Sequence, residues 1–551
     1  MSNLKIIPLG GGGNVTKNMF VYEYDNQVLL VDCGIGFPTS DMPGIDVLIP
    51  DVSYLHDGSK HIVGMVLTHA HDDHIAALPY ILPQLPDFPI YGSKLTIGFA
   101  ADRLDDFDFH HKELLEFPDH QPLDLGPFHL QSIHVTHSVP DARHYAIGTP
   151  AGTVYHGSDF KFDLTPVDGV ISDYQKIARI GGEGVLCLLS DSLRSEKPGH
   201  SLSEAILSDT FEREIRDTKG KFIVTAMSSN VHRIQQAVNV ATSHGRQVTF
   251  IGRSVERNIK TATRLGFFHA PKSAIINKKK IASVPANKLC VIIAGSQGQP
   301  GSSLTRAAIG AHTLIDITPE DKVVFSTEPI PGNENDVYSA IDNLSKIGAD
   351  ISYSDVDDDL HVSGHASALE QKLLIALTKP KFLYPIGGTY RHQVQYRKLA
   401  TSMGYQKDRV FLMQDQETLE LTADSAQKGD KLNLKNVMVD GLGVGDVGNI
   451  VLSDRKTMAA SGIVIISVPV SRATGQVNGE VQVISRGFVF MKQAGELIDK
   501  IKQTTRDCLQ DFPTPAKDWA NLRKKIDSKV GSLLFDETQR EPLILPVLME
   551  I

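Results

Sequence analysis

The fold of this chain is decided by one stretch, Val63-Gly64-Met65-Val66-Leu67-Thr68-His69-Ala70-His71-Asp72-Asp73-His74. Its apolar first half predicts a buried strand. Its second half places three histidines and two aspartates within six positions, and such ligands suit zinc, and also manganese. The stretch therefore predicts a strand that delivers metal ligands to a loop. The alternative is a polar surface loop, since the chain has 21 histidines, but ordinary loops rarely place five ligands directly after an apolar strand.

The spacing of these ligands indicates two ions. His69 and His71 are two residues apart, so an extended or turning backbone can aim both at one ion. Asp73 and His74 follow at once and can face a second ion beside it. Two ions roughly 3.5–4 Å apart clamp both the attacking and the leaving oxygen of a phosphoryl transfer. The spacing therefore favours that chemistry.

Two later strands repeat the pattern of a strand that ends in one metal-competent residue. The predicted strand 128–135 runs into His137, and the predicted strand 153–155 runs into Asp159. Taken singly, each residue is more typical of a cap or a polar core position. Together with the first stretch they complete a ligand set, in which the Asp159 carboxylate can bridge two ions.

Bulk composition limits the other possibilities. A chain of 551 residues is too long for one core and predicts two to four domains. The net charge of −10 argues against holding nucleic acid by bulk positive charge, so any polyanion site must be a local groove with metal ions. The four cysteines form no CxxC pair, and no apolar run reaches the roughly 20 residues of a membrane span. We therefore expect a cytoplasmic protein with no membrane partner.

The first 200 residues predict a sheet-rich domain. Apolar segments at 4–9, 19–24 and 28–31 are separated by turn residues and predict antiparallel strands. Asp32 follows the third segment and is either a brace for the ligand loop or a strand-end cap. A helix is predicted from about Ile75, after the ligand loop. A later strand, 185–190, ends at Asp191.

From about residue 200 the pattern changes to alternating strands and helices. Ser201-x-x-Glu204 predicts a capping box that opens a helix. The alternation predicts a parallel sheet covered by helices over roughly 200–350. Polar loops at its carboxyl edge, such as 228–230 and 295–299, are either ligand-binding loops or tight turns. The predicted strands are 222–226, 248–251, 289–294 and 323–327, and the predicted helices are 231–244 and one from about Val255.

The last part of the chain predicts a small α/β segment. A glycine-rich linker at 441–448 precedes it. Its predicted strands are 462–468 and 488–491, and its predicted amphipathic helices are 496–509 and 519–534.

These motifs resemble a known family. The run His69-x-His71-x-Asp73-His74 with His137 and Asp159 is similar to the metallo-β-lactamase fold. The α/β insertion after Asp191, followed by 361–365, resembles the nucleic-acid-processing branch that carries a β-CASP domain. Nearly the whole chain is similar to bacterial ribonuclease J. The other motifs that carry the resemblance are Lys17-Asn18-Met19, Gly44-Ile45-Asp46, 51–55, 159–163, 229–236 and 440–443.

The resemblance implies an α/β architecture and an activity. We expect a metallo-β-lactamase αββα sandwich (1–200 and 353–435), an inserted β-CASP α/β domain (201–352), a linker (436–457) and a small C-terminal α/β domain for oligomerisation (458–551). The implied activity is a metal-dependent ribonuclease that removes nucleotides from the 5′ end of single-stranded RNA and also cuts internally, in mRNA decay and rRNA maturation. The implied partner is a second copy or a ribonuclease J paralogue.

The resemblance also assigns residues. One zinc ion would bind His69, His71, His137 and Asp159, and a second would bind Asp73, His74 and Asp159, with manganese as the alternative metal. Asp73 would orient the attacking water and His365 would protonate the leaving oxygen. A structural calcium ion would map to Asp46 and Asp440. The implied substrate contacts are Ser228, Ser229, Asn230, His361, Val362, Ser363, Gly364 and His365.

One departure from the family pattern matters. The family reads Pro-Val-His-Gly-Glu-Tyr-Arg where this chain has Pro385-Ile386-Gly387-Gly388-Thr389-Tyr390-Arg391. The histidine that would complete the second metal site is Gly387, so we expect a weakened second site and slow turnover. The alternative is a non-catalytic RNA-binding or scaffolding subunit that stabilises an active paralogue. A small-molecule hydrolase of the same fold is disfavoured, because it needs neither the inserted domain nor the C-terminal one.

Overall fold

The computed structural model describes residues 3–39, 41–111, 113–118, 121–330, 332–488, 495–512, 515 and 517–551. The chain forms two compact units, one made of Met1–Phe37 and Val47–Val437 and the other of Pro38–Asp46 and Met438–Ile551. Within the described ranges, none of the helices combines the length and the apolar character needed to cross a membrane.

Two facing sheets form the centre of the first unit. Both contribute to one shared core, in which Phe20 and Leu29 of one sheet accompany Tyr145 and Leu189 of the other. The first sheet has the order Ala426–Lys431, Glu417–Leu421, Leu4–Gly10, Met19–Tyr24, Gln27–Val31, His61–Val66, Ile90–Gly92, Leu114–Glu116. The second has the order Phe382–Ile386, Cys187–Asp191, Gly152–Gly157, Arg143–Thr149, Phe128–His134, Leu123–Leu125. A short strand, Val47–Ile49, lies outside these sheets.

Helices accompany the two sheets. A second core lies on the other side of the second sheet, where Ile177, Leu374 and Tyr396 of three helices pack with strand residues such as Tyr155 and Leu188. The helices of this domain are Asp72–Ile75, Leu78–Ile81, Lys94–Asp105, Tyr174–Glu183, Ala368–Thr378 and Tyr390–Ser402. The two packed sheets with their helices form the expected αββα sandwich.

An α/β domain is inserted between two neighbouring strands of the second sheet. The chain leaves after Cys187–Asp191 and returns to Phe382–Ile386, which pairs with it in parallel. The inserted sheet is parallel throughout, as the alternating pattern predicted. Its strand order is Gln247–Ile251, Leu289–Ile293, Phe222–Thr225, Lys322–Phe325, Asp350–Ser352. Its helices are Leu207–Arg216, Val231–Ser243, Arg253–Leu265, Ser303–Ala308 and Glu334–Ile347.

The second unit contains a small sheet with two helices on one face. Its strand order is Gln482–Arg486, Ile463–Val470, Leu543–Glu550. Alternate strand residues, such as Val464 and Ile466, pack with Ile526 and Val530 of the longest helix. The helices of this unit are Asn449–Ser461, Gly495–Gln510 and Trp519–Thr538, and a further strand pair is formed by Val437–Asp440 with Gly443–Val444.

Two expectations about the first unit need correction. The ligand stretch does not stay a loop up to Ile75, because a short helix already begins at Asp72, where the acidic Asp72 and Asp73 suit a helix N-terminus. The capping box at Ser201 is wrong: Ser203 caps the helical turn through the N–H of Ala205. The carboxylate of Glu204 is instead buried against Arg233.

Two expectations concern the C-terminal region. The expected linker, 436–457, holds a strand pair and the start of the helix Asn449–Ser461, so regular structure continues through it. Of the strand expected at 488–491, residues 489–491 lie outside the described residues, and the observed strand is Gln482–Arg486.

A buried ion pair joins the inserted domain to the loop that follows it. The Arg233 guanidinium donates to both carboxylate oxygens of Glu204, at 2.7 and 3.0 Å. It also donates to the carbonyl oxygens of Ser326 and Val362, each at 2.8 Å. Burial opposes ionisation of Glu204, but Arg233 outweighs it and lowers the pKa to about 2. The ion pair therefore stays charged at neutral pH.

We expect Glu204→Gln to destabilise the inserted domain by about 3–5 kcal/mol, because it leaves the Arg233 charge buried and unpaired. Urea unfolding followed by circular dichroism measures this loss. The control is Glu212→Gln, which removes a carboxylate paired with His244 at the surface and should cost under about 1 kcal/mol. Equal losses of stability in both variants would contradict the assignment of Glu204 and Arg233 as a buried ion pair.

The Glu204→Gln variant also tests how the stabilisation by this ion pair depends on pH. The folded pKa of Glu204 lies below its ordinary value of 4.5, so its stabilisation is complete above pH 4.5 and is lost as pH falls towards about 2. The stability gap between the natural chain and Glu204→Gln should therefore narrow over that range. A gap that stays constant from pH 5 to about 2 would show that this carboxylate is not the group that titrates.

Candidate metal centre

Four predicted ligands converge at the ends of three strands. His69 and His71 follow His61–Val66, His137 follows Phe128–His134, and Asp159 follows Gly152–Gly157. Each offers one ligand atom, and these atoms all lie within 4.8 Å of one another. The sequence pattern of a strand that ends in one metal-competent residue therefore places all four in one cluster.

The spacing within this cluster suits a tetrahedral ion. His71 Nδ1 lies 3.1 Å from His69 Nε2 and 3.1 Å from His137 Nε2. Asp159 Oδ2 lies 3.7 Å from His69 Nε2 and 3.8 Å from His137 Nε2. An ion with bonds of about 2.0–2.1 Å separates its tetrahedral ligands by roughly 3.3 Å. The four atoms therefore fit around one ion.

The histidines of the cluster are held in the form that binds a metal. His137 Nδ1 lies 2.7 Å from the Gly364 carbonyl oxygen, which can only accept, so Nδ1 carries the proton and Nε2 offers its lone pair. Burial lowers the pKa of His69 and His137 well below the ordinary value and lowers that of His71 to about 4. Neutral imidazoles bind an ion without losing a proton. The donor set therefore fits a metal ion.

A second group shares Asp159 with the first. His74 Nε2 lies 3.6 Å from Asp73 Oδ2 and 3.5 Å from Asp159 Oδ2. Asp32 supports His74, which is one of the two roles expected for Asp32. Its Oδ2 lies 2.7 Å from His74 Nδ1, and its Oδ1 accepts the N–H of Thr68. Burial raises the pKa of Asp73 to about 6. Asp159 is therefore the residue that both groups share.

Sequence reasoning missed Asp191. It ends the strand Cys187–Asp191, and its Oδ2 lies 2.8 Å from His365 Nδ1. His365 Nδ1 also lies 4.0 Å from Asp159 Oδ2, and the three residues form a third cluster that could hold an ion. Burial disfavours the charged imidazole, but Asp191 and Asp159 outweigh burial and raise the pKa of His365 to about 9. The signal was present, because this strand also ends in a carboxylate.

Gly387 faces the same cluster. It follows Phe382–Ile386, and a Cβ atom added to it would lie 3.5 Å from Asp159 Oδ1 and 3.7 Å from Asp191 Oδ1. Its φ of +63° is one that side chains adopt at a cost, although histidine is among the more tolerant. A side chain at this position would therefore point at the metal centre. Thr389, the other departure, caps the helix Tyr390–Ser402.

The expected substrate residues divide into partly exposed and buried ones. Ser228, Ser229, His361, Ser363 and His365 are partly exposed, whereas Asn230, Val362 and Gly364 are buried. Asn230 caps the helix Val231–Ser243 and donates to Glu204, and the Val362 carbonyl accepts from Arg233. The buried residues thus support the loops, and their contact with substrate stays a prediction.

The expected calcium residues do not form a comparable cluster. Asp440 pairs with Arg455 at 2.5 Å, and Asp46 accepts the N–H of Gly441 at 2.8 Å. The clusters found among the described residues all lie around Asp159. Calcium therefore stays a prediction, whereas the His/Asp cluster fits a metal site.

Comparison with known proteins agrees with this geometry. The metallo-β-lactamase superfamily matches residues 12–162, the ribonuclease J β-CASP domain matches 219–344, and the ribonuclease J C-terminal domain matches 450–551. Ribonuclease J2 of Bacillus subtilis is 34% identical over 551 residues, which cover 100% of this chain and 99% of that protein. The chain belongs to the ribonuclease J family. Ribonuclease J of Thermus thermophilus is 37% identical over 559 residues, covering 100% of this chain and 95% of that one.

Membership in the ribonuclease J family confirms the fold class and the metal-dependent ribonuclease class that the resemblance implied. A crystal structure of a protein of unknown function from Enterococcus faecalis V583 has a TM-score of 0.52 and 14% identity, covering 76% of this chain and 100% of that one. This likeness concerns the fold alone.

We expect His137→Gln to weaken the first ion by at least about 100-fold, because the variant loses a direct ligand and loss of a supporting group alone costs 10–100-fold. Metal content after dialysis against graded chelator, measured by mass spectrometry, checks this. His129→Gln is the matched control, because His129 is a surface histidine, half exposed and paired with Asp124. Equal metal retention in both variants would contradict the assignment of His137 as a metal ligand.

Proposed function

We propose that this chain is a slow 5′-to-3′ exoribonuclease of the cytoplasm that acts on single-stranded RNA with a 5′-monophosphate, also cuts internally, and serves mRNA decay and rRNA maturation. The observation that supports slow turnover is the absence of a side chain at Gly387, the position that faces Asp159 and Asp191. The proposed domains are those expected from the resemblance, with a β-CASP domain at 201–352 and a C-terminal domain from 458.

The proposed chemistry uses both carboxylate and imidazole groups. When bound, the ions supply positive charge at the attacking and leaving oxygens of the phosphodiester. Zinc suits the histidine-rich cluster, and manganese is the alternative. Asp73 orients the attacking water and accepts its proton, and His365 donates a proton to the departing ribose oxygen. Asp191 holds His365 in place through Nδ1, so the raised pKa keeps this acid protonated at neutral pH.

The 5′-phosphate is proposed to bind where two anchored loops meet. The helix Val231–Ser243 begins at Asn230, and its Arg233 donates to Val362 of the other loop. The partly exposed hydroxyls of Ser228, Ser229 and Ser363 lie on these loops and suit a phosphate anion. Because Arg233 ties the loops together, their spacing does not depend on RNA.

The second metal site is expected to be weak because it has one ligand fewer than the family pattern provides. Histidine would complete the second group in the family pattern, and glycine offers no atom. Loss of one ligand should weaken the second ion by at least the 10–100-fold that loss of a supporting group causes. The same observation favours the alternative function, a non-catalytic RNA-binding or scaffolding subunit that stabilises an active ribonuclease J paralogue. The intact first cluster favours the enzyme.

The proposed assembly surface is the outer face of the C-terminal sheet. The inner face packs on two helices. On the outer face Ile484, Ile465 and Leu545 are neighbours across the three strands, and Val547 and Met549 continue the row. Ile484, Val547 and Met549 are each about 40% exposed. Exposed apolar rows of this kind mark protein interfaces, and the partner proposed is a second copy or a paralogue.

We expect Gly387→His to release nucleotides from a 5′-monophosphorylated single-stranded RNA at least about tenfold faster than the natural chain, because it restores a ligand. Initial rates with manganese or zinc measure this. The control is Gly310→His, since Gly310 has a similar φ of +68° and open surroundings. If both the natural chain and Gly387→His are inert while RNA still binds, the scaffold is the correct function.

We expect the double variant Ile484→Lys with Val547→Lys to convert an assembled state into single chains of 60.2 kDa, because two buried ammonium groups are costly in an interface. Light scattering of the purified chain, alone and mixed with a paralogue, measures the mass. Phe535→Lys changes an exposed apolar residue on a helix instead and should leave the mass unchanged. If the double variant keeps the mass of the natural chain, the outer face of the C-terminal sheet is not the assembly surface.

A further inference from the structure

An acidic side chain faces the loop that is proposed to bind the 5′-phosphate. Glu328 comes three residues after the strand Lys322–Phe325 of the inserted domain, and its carboxylate Oε1 lies 3.4 Å from His361 Nδ1. The side chain of Glu328 is about half exposed, whereas that of His361 is largely buried. A solvent-accessible carboxylate is therefore in contact with one of the expected substrate residues.

The backbone of Glu328 is fixed by the edge of the inserted sheet. Gln297 Nε2 donates to the Glu328 carbonyl oxygen at 3.0 Å, and Gln297 Oε1 accepts the N–H of Ile330 at 2.7 Å. Gln297 is buried and belongs to the polar loop 295–299, which the sequence left open between a ligand-binding loop and a tight turn. This loop therefore holds the carboxylate of Glu328 in position.

The contact determines which nitrogen of His361 carries its proton. Burial lowers the pKa of His361 below its ordinary value, although Glu328 opposes this effect, so the imidazole is neutral at neutral pH and has one N–H. A carboxylate can only accept, so Glu328 favours the proton at Nδ1 and a lone pair at Nε2. The oxygens of an ionised phosphate also only accept. A phosphate and Glu328 therefore compete for the same N–H.

Two cations lie close to this carboxylate. The contact with His361 lowers the pKa of Glu328, and the charges of Arg194 and Lys197 lower it further, against the opposing effect of burial. The N–H of Ala368 donates to the Lys197 carbonyl oxygen at 2.9 Å, so the turn that carries both cations lies beside the end of the His361 loop. Among the described residues, Arg194 Nε is buried and has no hydrogen-bond partner. An anion that binds Arg194 would satisfy this donor.

We propose that Glu328 competes with the 5′-phosphate of single-stranded RNA for the N–H of His361, and that Arg194 binds the phosphate that displaces the carboxylate. The inference rests on the proposed function, in which the 5′-phosphate binds at the loop that carries His361. Like charges close to each other oppose binding, so Glu328 weakens the affinity for a 5′-phosphate. The natural chain therefore discriminates only weakly between a 5′-monophosphate and a 5′-hydroxyl end.

Fluorescence anisotropy with the full chain tests this competition. The probe is a single-stranded RNA, labelled at its 3′ end, with a 5′-monophosphate or a 5′-hydroxyl and with phosphorothioates at its first linkages to resist cleavage. We expect Glu328→Gln to bind the 5′-monophosphate RNA at least about fivefold more tightly and the 5′-hydroxyl RNA within about twofold of the natural chain, because a like charge is removed. Glu196→Gln, which removes a carboxylate that pairs with Arg391, is the matched control and should change neither affinity.

Two further variants test the roles of the N–H and of the guanidinium. Glu328→Ala removes the acceptor as well as the charge, because a glutamine amide can still accept from His361, and it should tighten the 5′-monophosphate RNA at least as much. In the Glu328→Gln background, Arg194→Gln should weaken this RNA at least about fivefold. Arg179→Gln, at an exposed arginine beside Glu183, is the control and should not weaken it.

Two results of the binding measurement would overturn the proposal. If Glu328→Gln tightens both RNAs equally, the carboxylate acts on phosphates along the strand, and competition at the 5′ end is wrong. If neither Glu328→Gln nor Glu328→Ala tightens the 5′-monophosphate RNA, the carboxylate does not compete with it. Failure of Arg194→Gln to weaken the complex would remove Arg194 from the site.

The rate of nucleotide release from ordinary RNA separates this proposal from the proposed function. At RNA concentrations below saturation, we expect Glu328→Gln to raise the ratio of release from 5′-monophosphate RNA to release from 5′-hydroxyl RNA at least about threefold, because tighter binding raises kcat/KM. Absence of release from either RNA contradicts the proposed function, while the changes in affinity still support the competition. Normal release together with unchanged affinities contradicts the competition alone.

Discussion

The carboxylate of Asp159 is the point on which this structure depends. Its Oδ2 lies 3.5 to 4.0 Å from ring nitrogens of His69, His74, His137 and His365, which come from three separate places in the chain. Burial raises the pKa of Asp159, but the charges of His74 and His365 outweigh burial and hold this pKa well below its ordinary value. A buried carboxylate is tolerable only when such partners surround it. The metal-competent clusters at this site all contain it.

The strand ends make this convergence possible. The candidate ligands follow strands of two different sheets, so the packing of those sheets on one core sets the distances between them. Supporting contacts then fix the ring orientations, as Asp32 does for His74 and the Gly364 carbonyl does for His137. Rigid supports of this kind let a site keep its geometry without an ion.

The inserted domain contributes to the same site through a different interaction. The buried pair of Glu204 and Arg233 reaches the carbonyl of Val362, and Gly364 two residues later contacts His137. A Cβ atom on Gly364 would lie 2.7 Å from Ser138, so only glycine permits this approach. The loop that carries His365 is therefore held by both domains.

The sequence by itself determined the strand-end ligands, the parallel inserted sheet and the departure at Gly387, because strands of period two and adjacent ligand residues are local properties. It did not place Asp191 against His365, residues 174 positions apart, nor reveal Glu204 as the partner of Arg233 rather than a cap. Only the tertiary structure decided these contacts, and with them which carboxylates face Gly387. The physical reason is that burial and long-range pairing determine what a charged side chain does, and the residues next to it in the sequence indicate neither.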